Sequence, residues 1–267
     1  MLDRLGRTVR YLRLSVTGAC DYRCAYCMPA GGKPWDGPSL SAAEFVEIAR
    51  QAAALGVTKV RLTGGEPLVR SDILDICRGI ASLDGVETLC VTTNGARLKE
   101  LAGELRSAGV SCVNVSLDSL KPGRYREITG TGELSRALGG LDAALAAGFD
   151  KVKVNTVLLG GVNEDEIADF VELTRDRPVE VRFIELMPIG PCAAWPRERF
   201  LSAQAVLDCC PELVAVDRSG VAQRYRKPGY AGMVGLIRPI SGCFCAECDR
   251  IRVTSDGMLK PCLHGRE

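Results

Sequence analysis

Four times along the chain, an amphipathic run ends in glycine and a β-rich run follows: ALGVTKVRLTGGE, LDGVETLCVTTNG, SAGVSCVNVSLDS and AAGFDKVKVNTVL. The glycines, Gly56, Gly85, Gly109 and Gly148, stand where a helix end or turn accepts a left-handed residue. The runs after them are rich in Val, Leu and Thr. Several read as apolar at successive positions, which predicts parallel strands covered on both faces. Strands are expected near 11–17, 59–64, 88–94, 112–118, 151–157 and 180–186. Helical runs separate them, the best marked being SAAEFVEIARQAAALG, with Ser41 and Glu44 as a capping box. Six such steps predict a β/α barrel or an open doubly wound sheet. From about residue 191 the rhythm breaks. The irregular run from Pro191 to Pro196, a short helix at 202–209 and short strands over 213–240 predict an appended lid or subdomain. In both folds, functional groups gather at the C-terminal ends of strands.

Composition adds exclusions. A net charge of +1 gives no sequence-wide attraction to nucleic acid or an anionic membrane. No run of eighteen apolar residues occurs, and MLDRLGRTVR lacks a signal core, so a cytoplasmic location is expected. Thirteen cysteines in that compartment are expected to be reduced, metal-bound or redox-active rather than paired as disulfides.

Three of them, Cys20, Cys24 and Cys27, follow the first strand in TGACDYRCAYCMP. Three thiolates can hold three irons of a four-iron, four-sulfur cube and leave the fourth iron open to an exogenous ligand, whereas structural zinc and ferredoxin clusters use four protein ligands. In LTGGEPLVR, Gly64 and Gly65 would let backbone amides approach a ligand, and Glu66 offers an acceptor for an ammonium group. VTTNG brings Thr92, Thr93 and Asn94 to the third strand end, and VNVSLDS brings Ser116 and Asp118 to the fourth. A second set of three, Cys245, Cys248 and Cys262, lies in CFCAECDRIRVTSDGMLKPCLHG. Zinc completed by Cys243 or His264 is the competing reading there. Cys77, Cys90, Cys112, Cys192, Cys209, Cys210 and Cys243 read as ordinary thiols.

The spacing C-x3-C-x2-C with Tyr26 before the last cysteine resembles the radical S-adenosylmethionine (SAM) superfamily. The set LRLSVT, CMP, RLTGGEPLVR, TTNG, VNVSLD, VKVNTV, RFIELMP and FCAECDRIRVTSDGMLKPCL resembles, over essentially the whole chain, the molybdenum cofactor biosynthesis protein A family, the GTP 3′,8-cyclases. That resemblance implies a partial (β/α)6 TIM-type barrel over 1–190 and a C-terminal extension over 191–267 carrying a second iron–sulfur cluster. It implies a lyase with two [4Fe-4S] clusters, held by Cys20, Cys24 and Cys27 and by Cys245, Cys248 and Cys262.

SAM would meet Tyr26, Gly65, Glu66, Ser116 and Met187. GTP would meet Arg13, Arg61, Thr92, Lys153, Arg182, Arg250 and Arg252, since guanidinium groups bind phosphate multidentately. Arg13, Arg61, Arg250 and Arg252 are the expected catalytic group. Strand alternation alone gives Arg13, Arg61 and Lys153 an even chance of facing solvent. The implied reaction removes hydrogen from C3′ of the GTP ribose, joins C3′ to C8 of guanine, and yields 3′,8-cyclo-7,8-dihydro-GTP. Implied partners are a flavodoxin- or ferredoxin-type electron donor and a downstream cyclic pyranopterin monophosphate synthase, with a homodimer among the assemblies allowed. Two departures stand out. TGAC replaces the family's TDRC, which puts the order of that loop in question, and the sequence ends at Glu267 without the family's Gly-Gly tail. A radical enzyme acting on a peptide or sugar, a shortened inactive paralogue and a zinc-stabilised scaffold are the alternative readings.

Overall fold

The computed structural model describes residues 2–3, 6–28 and 37–264. Its framework is one curled, half-barrel sheet. Six parallel strands form the middle: β1 (Tyr11–Ser15), β2 (Lys59–Thr63), β3 (Thr88–Thr93), β4 (Cys112–Ser116), β5 (Lys151–Leu158) and β6 (Val179–Glu185). Each expected strand is present, and β1 and β4 end two residues early, where the chain leaves the sheet to build loops. The helices between them are α1 (Ala42–Ala54), α2 (Ile73–Ala81), α3 (Leu98–Ser107), α4 (Pro122–Thr129), α5 (Leu134–Ala146) and α6 (Ile167–Glu172). The capping box on α1 is formed, Glu44 N donating to Ser41 Oγ and Ser41 N to Glu44 Oε2. All four pre-strand glycines have positive φ, from 69° to 91°.

The short helix is α7 (Gln204–Cys209), and β7 (Val214–Ser219), β8 (Ala222–Arg226), β9 (Met233–Ile237), β10 (Arg250–Val253) and β11 (Leu259–Lys260) follow. These late strands extend the same sheet at both edges, in the order β11-β10-β1-β2-β3-β4-β5-β6-β9-β8-β7. β9 pairs parallel with β6, and β10 pairs parallel with β1.

The expectation of two apolar strand faces is corrected. Alternation runs through the middle of each strand. Leu12 and Leu14, Val60 and Leu62, Leu89 and Val91, Val113 and Val115, Val152 and Val154, and Val179, Val181 and Phe183 all join the helix-backed core. The residues between them, polar except for Cys90, share the other, concave face, as a period of two requires. Parallel crossovers of one hand place the helices outside and leave that concave face as a cavity wall.

Two adjacent glycines in α5 test how tightly the helices seat. A Cβ on Gly140 would lie 2.2 Å from Gly95 O, whereas one on Gly139 finds nothing nearer than Lys99 Cδ at 3.8 Å. Gly140→Ala is expected to cost about 1–3 kcal/mol through overpacking. Gly139→Ala should gain up to about 1 kcal/mol from helix propensity. Denaturant unfolding of the two variants measures both, and shifts of the same sign would contradict this packing.

Candidate active site

The cysteine loop leaves the C-terminal end of β1 and is sewn down by backbone. Gly65 N donates to Thr17 O and Glu66 N to Ala19 O, both at 2.8 Å. A Cβ on Gly65 would stand 2.2 Å from Ala19 O, and one on Gly64 2.3 Å from Thr17 O. The glycine pair therefore admits the cysteine loop itself. The Gly65 amide, expected to face a ligand, is used in holding that loop. Arg23 N and Ala25 N donate to Thr129 O and Ile128 O at the end of α4, and Cys27 N and Met28 N both close on Cys24 O at 2.9 Å. Ala19 N donates to Thr17 Oγ1 at 3.0 Å, so backbone bonds order this loop with Gly18 and Ala19 in place. Pro29, the last residue of the CMP motif, lies outside the described residues.

Cys20 and Cys24 are half-buried and Cys27 is exposed. Burial pushes the Cys20 thiol up to about 11 and raises Cys24 and Cys27, with further contributions from the charge of Glu66 at Cys20 and of Asp118 at Cys24 and Cys27. A positive iron corner would reverse this by taking the thiolate form. Tyr26 donates its hydroxyl to Asp118 Oδ2 at 2.8 Å, and Asp118 Oδ1 accepts from Val157 N at 2.8 Å. Burial raises the Asp118 carboxyl to about 6. Asp118 thus fastens the cysteine loop to the ends of β4 and β5.

Glu66 sits behind its turn, 2% exposed. It accepts from Leu68 N (3.0 Å), Thr93 Oγ1 (2.7 Å) and Asn94 N (2.6 Å), tying the end of β2 to the end of β3. Burial pushes it up to about 7 against the pull of those three donors. The carboxylate expected to accept an ammonium group from a ligand is here engaged by three donors of the protein itself and almost fully buried, so what it does in the structure is tie β2 to β3. Ser116 and Met187 lie half-buried at and just beyond the ends of β4 and β6, around the same rim.

Below this rim the inward residues form rows. Arg252, Arg13, Arg61, Cys90 and Cys112 stand side by side across β10, β1, β2, β3 and β4. Thr92, Asn114, Lys153 and Glu180 make the next row, and Ser116, Asn155, Arg182 and Gly235 the one above. Arg61 and Lys153 are 3% and 5% exposed, so both lie on the inner face of the sheet and neither faces solvent. Arg61 donates to the Tyr11 hydroxyl, to Thr92 Oγ1 (3.0 Å) and to Val91 O (3.3 Å). Burial pulls Arg13 down to about 10 and Lys153 to about 8, and lowers Arg252. Burial raises the Tyr11 phenol, but Arg61 and Arg13 pull it below its ordinary value. Arg250 lies over the Tyr11 ring at 5.6 Å. Among the described residues, Nε of both Arg250 and Arg252 is buried without an acceptor. A wall of this kind, facing one carboxylate on β1–β6, fits a polyanion.

The second cysteine set lies at the other end. Cys245 opens a short turn that Cys248 N closes on Cys245 O at 3.3 Å. The β10–β11 hairpin pairs Arg252 with Lys260, two residues before Cys262, whose thiol acts electrostatically on Arg252 together with that of Cys248. The Cys245 thiol feels those of Cys243, Cys248 and Cys262. Glu185 accepts from Ile240 N (3.1 Å) and Ser241 N (2.9 Å), fixing the approach to this segment. Arg250 is opposite Tyr11, so Cys248 lies before the start of β1 and Cys20 beyond its end. The strand alone separates those ends by about 13 Å. Among the described residues no three Cys, His, Asp or Glu side chains close round a single ion; a cube instead takes its ligands at separate iron corners. The chemistry of both donor sets fits such clusters.

Sequence reading overlooked Tyr11 and Glu180. Each stands two residues before a selected arginine, Arg13 and Arg182, on the same strand face, so alternation was the signal that could have found them. Changing Glu66 to glutamine turns an NH2 group toward one of three donors, with an expected loss of about 1–3 kcal/mol. Iron uptake at the first cysteine set should fall with it. Unfolding and iron analysis of Glu66→Gln read both, and an unchanged midpoint contradicts the tie.

Comparison with known proteins agrees with this arrangement. The family described as the Radical SAM superfamily matches residues 14–174, and Molybdenum Cofactor Synthesis C matches 179–267. A GTP 3′,8-cyclase of Alkaliphilus oremlandii is 46% identical over 99% of this chain and 84% of its own length. The protein of that name from Geobacter sulfurreducens is 47% identical over the whole chain and 84% of its own length. In fold, the chain is similar to Streptococcus suis SuiB bound to S-adenosylmethionine, with a TM-score of 0.69 at 16% identity, covering 96% of this chain and 60% of that one. The chain belongs to the molybdenum cofactor biosynthesis protein A family, the GTP 3′,8-cyclases of the radical SAM superfamily.

Proposed function

We propose that the concave face of the sheet is where GTP becomes (8S)-3′,8-cyclo-7,8-dihydro-GTP, in the first step of molybdenum cofactor biosynthesis. The observation that carries this reading is the position of the cationic rows. They run between two three-cysteine sets at opposite ends of β1 and β10, and two buried guanidinium nitrogens there have no acceptor. Residues 1–190 would form the SAM half of the site and residues 191–267 the auxiliary-cluster half.

Cys20, Cys24 and Cys27 would hold one [4Fe-4S] cluster, and Cys245, Cys248 and Cys262 the other. The first supplies one-electron reduction of SAM, and the second an open iron for the guanine. Tyr26 and the Gly64–Gly65 turn fix the loop beside which SAM lies, with Ser116 and Met187 completing that rim. The amine of SAM would then be met by backbone around Gly65, with Glu66 supporting the turn from behind. Arg13, Arg61, Arg250 and Arg252 neutralise the triphosphate, Lys153 and Arg182 extend that surface, and Thr92 keeps Arg61 aimed. Held at both ends, the ribose sits near the reacting carbon of SAM, and the helix-backed sheet keeps out water. A flavodoxin- or ferredoxin-type protein would supply the electron, and a cyclic pyranopterin monophosphate synthase would consume the product. A homodimer accords with this reading.

Anaerobic reconstitution should give about eight irons and eight sulfides per chain. Changing Cys20, Cys24 and Cys27 to Ala should halve both and abolish SAM cleavage. Changing Cys245, Cys248 and Cys262 to Ala should halve them too, keep 5′-deoxyadenosine formation and abolish GTP consumption. Iron, sulfide and product analysis checks this. Zinc without sulfide in the wild-type protein would overturn it.

A further inference from the structure

On β1–β6, Glu180 is the single carboxylate that the alternation turns toward the cavity. It is 8% exposed and shared between two cations: Oε2 lies 3.2 Å from Lys153 Nζ on β5, and Oε1 accepts from Arg182 Nε on β6. The neighbouring strand leaves room for this triad. A Cβ on Gly235 would lie 3.1 Å from Arg182 Cγ and 3.3 Å from Glu180 Oε1. On its other side, Lys153 has neutral Asn114 as register partner, and Cys112 is the nearby titratable group on β4. Arg224 on β8, ion-paired with Asp217, lies within electrostatic reach of Glu180.

We propose that Glu180 is a positioning residue for the anionic end of the substrate, keeping Lys153 charged and aligned with Arg182, and so setting the pH range in which the cavity binds triphosphate. The proposal deepens the GTP reading and rests on it for the identity of the ligand. Two opposed effects follow from one carboxylate. Burial and Arg182 pull Lys153 down, and Glu180 opposes them, leaving it at about 8. The same negative charge repels a bound phosphate. Removing it costs nothing while Lys153 stays protonated, and costs a cation once Lys153 loses its proton at a lower pH than before.

The effect of Glu180→Gln should therefore cross over with pH. Equilibrium dialysis of GTP against protein carrying both clusters, from about pH 6.5 to about pH 8.5, gives the ratio of variant to wild-type Kd. Taking the ratio cancels the ligand's own titration. It is expected at or below one at the acid end and to rise to about tenfold at the basic end, as a displacement of one pKa unit produces. Glu180→Gln with Lys153→Arg should flatten the curve, because arginine keeps its charge throughout. A ratio constant with pH, or one still rising in the double variant, overturns the proposal. Inorganic tripolyphosphate run in parallel separates the two readings. If it shows the crossover while GTP does not bind, the GTP reading fails and this one stands. Should Glu180→Gln not fold, Glu180→Asp, whose shorter carboxylate reaches one cation, gives the same crossover at smaller amplitude. Its absence there counts against the proposal.

Discussion

The period of two through the middle of β1–β6 constrains everything else. Each strand offers Val, Leu or Phe to the helices and Arg, Lys, Asn, Thr or Glu to the cavity. A slip of one residue would put guanidinium groups under the helices and leucines in the cavity, so register is fixed by both faces at once. The inner face is costly without its anion. Arg13 and Lys153 hold their protons less firmly than in water, and Arg250 and Arg252 keep buried nitrogens without acceptors. Tyr11, Thr92 and Glu180 relieve part of that tension. The remainder favours binding of negative charge.

The rims use a different device. Buried carboxylates act as ties: Glu66 joins the ends of β2 and β3, Asp118 joins the cysteine loop to β5, and Glu185 holds the turn before the second cysteine set. Each collects backbone or hydroxyl donors from segments distant in sequence. Loops that carry metal ligands are thereby ordered by groups that need touch neither metal nor substrate, as supporting shells of metal sites commonly are.

Much of this was legible in the sequence, and for physical reasons. Four of the six strands announce themselves because β-rich runs follow left-handed glycines, and the cysteine sets do so because cluster chemistry restricts spacing. The strand faces were misjudged because Tyr11, Cys90, Cys112 and the threonines blur an alternation that the surrounding Leu and Val make plain once register is known. The Gly64–Gly65 pair and Glu66 were assigned to a ligand because nothing local shows that residues 17–19 lie against them. The attachment of β9 and β10 to opposite edges is likewise a long-range pairing that no local pattern records.

The central claim is that this cavity holds the ribose of GTP against the reacting carbon of SAM. Turnover with GTP deuterated at C3′, followed by mass analysis of the 5′-deoxyadenosine released, tests it directly. Deuterium in that product is the result predicted. Unlabelled 5′-deoxyadenosine formed at the same rate with and without GTP would contradict the account.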